Sequence, residues 1–121
     1  MKNESGFKFE KLIVWQNAML LAEDLNILSE KFPSKELYNL SSQMRRAGDS
    51  IALNISEGSI LQSAPEYKKF IGYAIRSLAE VVTCLHKAKR RSYVGENEFK
   101  RHYEFSFKLM NMLVSFRNKI T

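Results

Sequence analysis

Helix breakers are scarce in this chain: Pro33 and Pro65 are its only prolines and its five glycines are scattered over 121 residues. Long stretches therefore run without a residue that ends a helix. Within them, apolar residues recur at steps of three and four, the period of a helix seam. The first stretch, from Ile13 to Phe32, carries Val14, Ala18, Leu21, Leu25, Leu28 and Phe32, and Pro33 stops it. The second opens after Ser34, the expected N-cap, and sets Leu37, Leu40, Met44, Ala47, Ile51 and Ile55 on one face up to Gly58. The third begins at Ser63-Ala64-Pro65-Glu66, which combines an N-cap serine, a first-turn proline and the glutamate of a capping box. It continues through Tyr67, Phe70, Ile71, Ala74, Leu78, Val81, Leu85 and Ala88, with Gly95 as the expected left-handed stop. The fourth starts near Glu96 and carries Phe99, Tyr103, Met110, Leu113, Phe116 and Ile120.

Helices over about 13–32, 35–58, 64–93 and 96–119 with short connections predict a single domain over 1–121. Its class is all-α, an antiparallel up-down-up-down four-helix bundle, because short loops force neighbours to run in opposite directions. Two helices are more apolar than one seam explains. Ile13, Leu20 and Ile27 repeat at sevens beside the first seam, and Phe105, Phe107, Met112 and Val114 flank the fourth. Patches of this kind point to self-association, against the alternative of a wide core face with a few wet apolar residues.

Cys84, the only cysteine, has no partner for an intrachain disulfide, which favours a reducing cytoplasm. Met1 to Glu10 is polar and unlike a signal peptide, and no apolar run approaches the ~20 residues of a membrane span. The expected location is the cytoplasm, with no membrane partner.

Site chemistry is thin. His86 and His102 lack a glutamate three residues before them, so the Glu-x-x-His pairs of a bundle metal centre are missing and no metal or other cofactor is expected. Nor does either histidine follow an arginine at the four- to six-residue spacing of the HEPN-type helical ribonucleases. Cys84 lies in an apolar register as a small hydrophobe, and no glycine-rich phosphate loop is present. The expectation is a protein that is not an enzyme.

Between Gln43 and Gly58, the residues Gln43, Arg46, Ser50, Asn54 and Glu57 form a polar stripe beside the seam. Arg45 can pair with Asp49 on the helix surface, and Arg46 can meet Glu80 of the third helix in a partly buried ion pair. Gln43, Arg45, Arg46, Asn54, Glu57 and Glu80 are thus expected to form a structural polar network that sets helix register. The small residues Ala47, Gly48, Ser50, Ala52, Ser56 and Gly58 permit close helix packing.

The formal charge of +6 is unevenly placed. Residues 1–60 hold 7 basic and 8 acidic side chains, whereas residues 61–121 hold 12 and 5. The excess is densest at His86-Lys87-Ala88-Lys89-Arg90-Arg91, facing Lys100 and Arg101 across a short turn. One or two cations would complement a helix C-terminus; Lys87, Lys89, Arg90, Arg91, Lys100 and Arg101 together suggest a phosphate-binding patch for RNA or DNA. Tyr93 beside them could stack on a base or cap the core.

The stretches KLIVWQNA (Lys11 to Ala18), FPSKELYNLSSQMRRAGDSIALNISEGS (Phe32 to Ser59) and EYKKFIGYAIRSLAEVVTCL (Glu66 to Leu85) carry a further signal. They resemble the bacterial four-helix-bundle proteins encoded in intervening sequences of 23S ribosomal RNA genes. The likeness covers about Phe9 to Val94. Its most specific part is Tyr38-x-Leu40-x-x-Gln43-x-Arg45-Arg46-Ala47, followed by Ser50-Ile51, Asn54-Ile55 and Glu57-Gly58. The resemblance implies an up-down bundle assembled as a homopentamer, a basic surface for nucleic acid and no defining enzymatic activity. The chain also looks distantly similar to the accessory bundle proteins of diversity-generating retroelements, which work beside a reverse transcriptase and its RNA. It departs from the family pattern at Met44 and Leu53, and its fourth helix matches least. The expected function is therefore a non-enzymatic, oligomeric bundle binding nucleic acid without base specificity; the alternative is a protein-interaction scaffold or accessory subunit with no nucleic-acid contact.

Overall fold

The computed structural model describes residues 6–60 and 63–121. Residues 1–5, part of the polar stretch Met1 to Glu10, and residues 61–62, all within the predicted domain range, lie outside the described residues. Four helices make up the body: α1 Ile13–Ser29, α2 Leu40–Ser59, α3 Ala64–Arg90 and α4 Glu96–Asn118. Two 3-10 turns, Lys8–Lys11 and Ser34–Glu36, precede α1 and α2. Each helix packs on its neighbours in sequence, and α4 closes back onto α1. The result is the four-helix bundle that the apolar period and the short connections require.

The seams of α1 and α3 become the core. Leu21, Leu25 and Leu28 of α1 meet Leu40, Met44, Ile51 and Ile55 of α2, Ile71, Leu78 and Leu85 of α3, and Leu109 and Leu113 of α4, all without solvent contact or nearly so. Burying a side chain of this size contributes about 1.5–3 kcal/mol, so the bundle rests chiefly on these layers. No described helix is long and apolar enough to cross a membrane.

The helix ends differ from the spacing-based reading in three places. First, α1 stops at Ser29 rather than Phe32: the residue before a proline is disfavoured in helical geometry, and the last turn tightens into three-residue bonds such as Phe32 N to Ser29 O at 3.1 Å. Phe32 still reaches the core. Second, α2 begins at Leu40, and Ser34 opens only a 3-10 turn without capping through its side chain. The Glu36 carboxylate takes over, accepting the Leu40 N–H at 3.3 Å, and Leu37 is left exposed. Third, the left-handed residue after α3 is Ser92, with φ 63°, not Gly95. There the Tyr93 N–H closes the helix on Ala88 O at 2.9 Å, and Gly95 instead stands at the N-cap of α4 in extended geometry. Ser63 caps α3 as expected, accepting the Glu66 N–H at 3.2 Å.

On α4 the buried stripe is Phe99, His102, Ser106, Leu109 and Leu113. The predicted stripe shared only Phe99 and Leu113 with it. Tyr103 is exposed, and Met110, Phe116 and Ile120 are half-buried along the core's edge. Apolar residues surround too much of α4 for their period to select one face.

Candidate nucleic-acid interface

The end of the bundle where α3 stops and α4 starts is a charged network built on three glutamates. Glu36, its side chain only 5% exposed, receives Arg91 Nη1 at 3.1 Å and the Tyr93 hydroxyl at 2.6 Å. Its other oxygen accepts Asn39 Nδ2 at 3.1 Å in addition to the Leu40 N–H. The hydrogen bond from Tyr93 is the main reason the Glu36 carboxyl titrates below its ordinary range, reinforced by Leu40, Arg91 and Asn39 against the opposing cost of burial. Glu96 holds Lys89 at 3.3 Å, and Glu98 holds Lys31, in the turn after α1, at 2.5 Å. Lys89 also lies over the Phe99 ring, 4.6 Å from its centroid.

The six predicted cations therefore turn to different neighbours. Arg91 and Lys89 are committed to carboxylates, while Arg101 Nη2 lies 3.4 Å from His102 Nε2. Lys100 and Arg101 line a shallow groove on α4 with Lys108, Asn97, Glu104 and Phe105. Lys87 stands at one end of the long groove between α2 and α3. Lys87, Arg90, Lys100 and Arg101 are exposed and have no carboxylate partner among the described residues. Tyr93 caps the core: its ring packs 5.3 Å from Phe32 and its hydroxyl is bound to Glu36.

The polar network on α2 takes a different form from the one predicted. Among the described residues there is no Arg46–Glu80 or Arg45–Asp49 ion pair. Instead, Ser50 and Ser77 join α2 to α3 by a hydroxyl–hydroxyl hydrogen bond, and Asn54 Nδ2 donates to Ser50 O at 2.8 Å. These short side chains occupy the helix contact, which leaves Gln43, Arg46 and Glu80 on the lips of an open groove of about 880 Å³. Arg45 turns the other way, to Ser29 Oγ of α1 at 3.4 Å, and Glu57 is exposed. Cys84 lines the same groove but is buried, and burial pushes its thiol pKa up, which favours the protonated form.

One feature was not recognised from spacing alone. Phe99, Tyr103 and Phe107 repeat at fours along α4, their rings near-parallel with centroids 5.7 and 6.4 Å apart, and His86 of α3 sets its edge against Phe99 and Tyr103 at 5.0 and 6.0 Å. The step of four is legible in the sequence, but the helix period assigns Phe99 and Tyr103 to the core seam and Phe107 to its flank. What revealed the ladder was the position of His86 on the neighbouring helix.

These features define an all-α bundle with a charged, aromatic-edged end and, among the described residues, no cluster of metal-ligating side chains. The 23S rRNA-intervening sequence protein family model matches residues 10–115, and the chain belongs to that family. A solved structure from Bacteroides thetaiotaomicron, a protein of unknown function from the S23 ribosomal protein family, superposes with a TM-score of 0.81. The alignment covers 87% of this chain and 98% of that one at 21% identity, a likeness of fold. No curated protein matches the chain.

Proposed function

We propose that this protein is a non-enzymatic, self-associating bundle of the cytoplasm that binds RNA or DNA without base specificity through the end formed by α3 and α4. One observation carries the reading: the glutamates Glu36, Glu96 and Glu98 are already paired with Arg91, Lys89 and Lys31, and Lys87, Arg90, Lys100 and Arg101 remain exposed without carboxylate partners among the described residues. Phosphates are the natural counterions for such a surplus, and binding would proceed by counterion release. Membership of the family supports assembly as a ring, expected from the resemblance to be a pentamer. A pentamer repeats the patch five times, and avidity turns weak single contacts into useful affinity.

The test is a salt titration of binding to a structured RNA. Affinity should fall steeply with ionic strength, and replacing Lys87, Arg90 and Lys100 by alanine should lower both affinity and salt slope. An affinity indifferent to salt would sink the reading.

A second reading, a protein-interaction scaffold or accessory subunit, is favoured by the α1 surface. Ile13, Leu20 and Ile27 are 59%, 58% and 59% exposed at steps of seven. A purified monomer would leave that stripe to a different protein; a stable ring offers it to other copies.

A further inference from the structure

The aromatic ladder on α4 stands apart from the core. Tyr103 is 37% exposed, Phe107 56%, and His86 is exposed beside them, whereas Phe99 beneath is buried and anchors the row. Water gains nothing from a row of ordered rings, and a folded monomer seldom leaves several together uncovered. Cations flank the row on both helices. Arg90 sits one turn beyond His86 on α3, and Lys100 shares the α4 face of Tyr103 and Phe107 at three and seven residues' distance, while Lys89, over Phe99 at 4.6 Å, is already neutralised by Glu96.

We infer that Tyr103 and Phe107, with His86 standing edge-on beside Tyr103, form a stacking platform for the bases of an unpaired RNA or DNA strand, whose phosphates are held by Arg90 and Lys100. This rests on the nucleic-acid reading above and narrows it to single strands. Charge complementarity selects the occupant, since an apolar protein surface would have to desolvate the flanking cations without neutralising them, and a polyanion neutralises them. Spacing selects the strand's form. Bases stacked in a duplex strand advance about 3.4 Å per residue, much less than the ring steps of 5.7 and 6.4 Å, and their faces are already covered by their neighbours. An unpaired strand can splay its bases and lay one face on each ring.

The experiment compares a labelled oligouridylate with a duplex of equal phosphate number by fluorescence anisotropy, using the full chain, Tyr103→Ala, Phe107→Ala, the double variant and Tyr103→Phe. Expected results are a preference of the unmodified chain for the single strand, a loss of about fivefold or more per ring removed on that strand only, and retention of affinity in Tyr103→Phe. The salt slope should stay unchanged in the ring variants, because no cation has been removed. Equal losses on single strand and duplex, or no loss on either, would overturn the platform while leaving the basic surface standing. Sedimentation of the double variant supplies a separate control: a collapse of the assembly would show that the ladder is a contact between copies and would overturn the platform too. Failure of the unmodified chain to bind either probe would sink the broader nucleic-acid reading as well.

Discussion

The Tyr93 hydroxyl donates a 2.6 Å hydrogen bond to Glu36 Oε2, joining the residue pair after α3 to the turn before α2 across 57 positions of sequence. One carboxylate thereby serves as the cap of α2, the partner of Arg91 and the acceptor for Tyr93. Tyr93→Phe leaves the ring against Phe32 and removes only the hydroxyl, so it should lower the melting temperature by a few degrees; Glu36→Ala should lower it further, because the Leu40 N–H, Arg91 and Tyr93 lose their acceptor together. The pH dependence has a definite sign. The folded Glu36 pKa lies below its ordinary value of 4.5, so its contribution is complete above that value and is lost as pH falls through the lower, folded one. Melting curves of Glu36→Gln should therefore lie below those of the parent at about pH 7, and the gap should narrow as the pH is taken below 4.5. Tyr93, raised chiefly by the same hydrogen bond, has the opposite behaviour: its contribution is complete below its ordinary value of 10 and fades at higher pH.

This relationship also shows where sequence patterning stops. The periods of Leu21, Leu25, Met44, Ile51, Leu78 and Leu85 found the core because a helix buries a fixed stripe whatever it packs against. Nothing in the local pattern marks Glu36, which falls in the first turn of the predicted second helix, since its partners Arg91 and Tyr93 arrive from the far end of α3, and no local spacing encodes a contact of that range. The Arg46–Glu80 pair failed for the reverse reason. Spacing placed both residues on facing helices, but the shorter Ser50 and Ser77 took the contact. The cations at the end of α3 were visible as composition, whereas their division into paired and unpaired depended on where Glu36, Glu96 and Glu98 fell.

Gly58 should tolerate no side chain. A Cβ there would stand 2.8 Å from Phe70 Cβ and 3.0 Å from Tyr67 Cδ1, so α2 and α3 would have to separate there. Gly58→Ala should cost about 1–3 kcal/mol despite alanine's better helix propensity. Gly72→Ala is the control: the nearest atom is Arg117 Nη1 at 3.9 Å, and the substitution should stabilise by about 0.5–1 kcal/mol. Urea melts of the two variants should move in opposite directions.

Burial lowers the pKa of His102, with Arg101 beside it adding to the effect. The neutral imidazole is the form that the fold accepts, so its contribution is complete above the ordinary value of 6.5 and declines as pH falls from there through the folded value. His102→Gln carries no titrating group and should flatten the change in melting temperature between about pH 7.5 and about pH 5.5. An unchanged slope would mean that other groups set it.

Ser106 Oγ is fully buried on the same face and has no hydrogen-bond partner among the described residues. An unsatisfied buried hydroxyl costs about 1–3 kcal/mol, and alanine removes it while leaving only a small void. Ser106→Ala should therefore be neutral or stabilising by up to about 1 kcal/mol, as read by chemical denaturation. A marked destabilisation would reveal a water or partner that the hydroxyl serves.

Assembly is best tested on α1. Leu20 stands in the middle of the Ile13–Leu20–Ile27 stripe, exposed in the folded chain, so Leu20→Glu removes no core contact and should leave the secondary structure intact. If copies meet along α1, the carboxylate buried at every interface has no partner, and the sedimenting species should shift from a multiple of 14.1 kDa toward the monomer. Nucleic-acid affinity should fall with it by about a hundredfold or more, the low end of what avidity adds, even though every cation of the patch is still in place. An unchanged oligomer in Leu20→Glu would move the interface to another face, whereas a parent chain that already sediments as a monomer would remove avidity from the mechanism and return the α1 stripe to the scaffold reading.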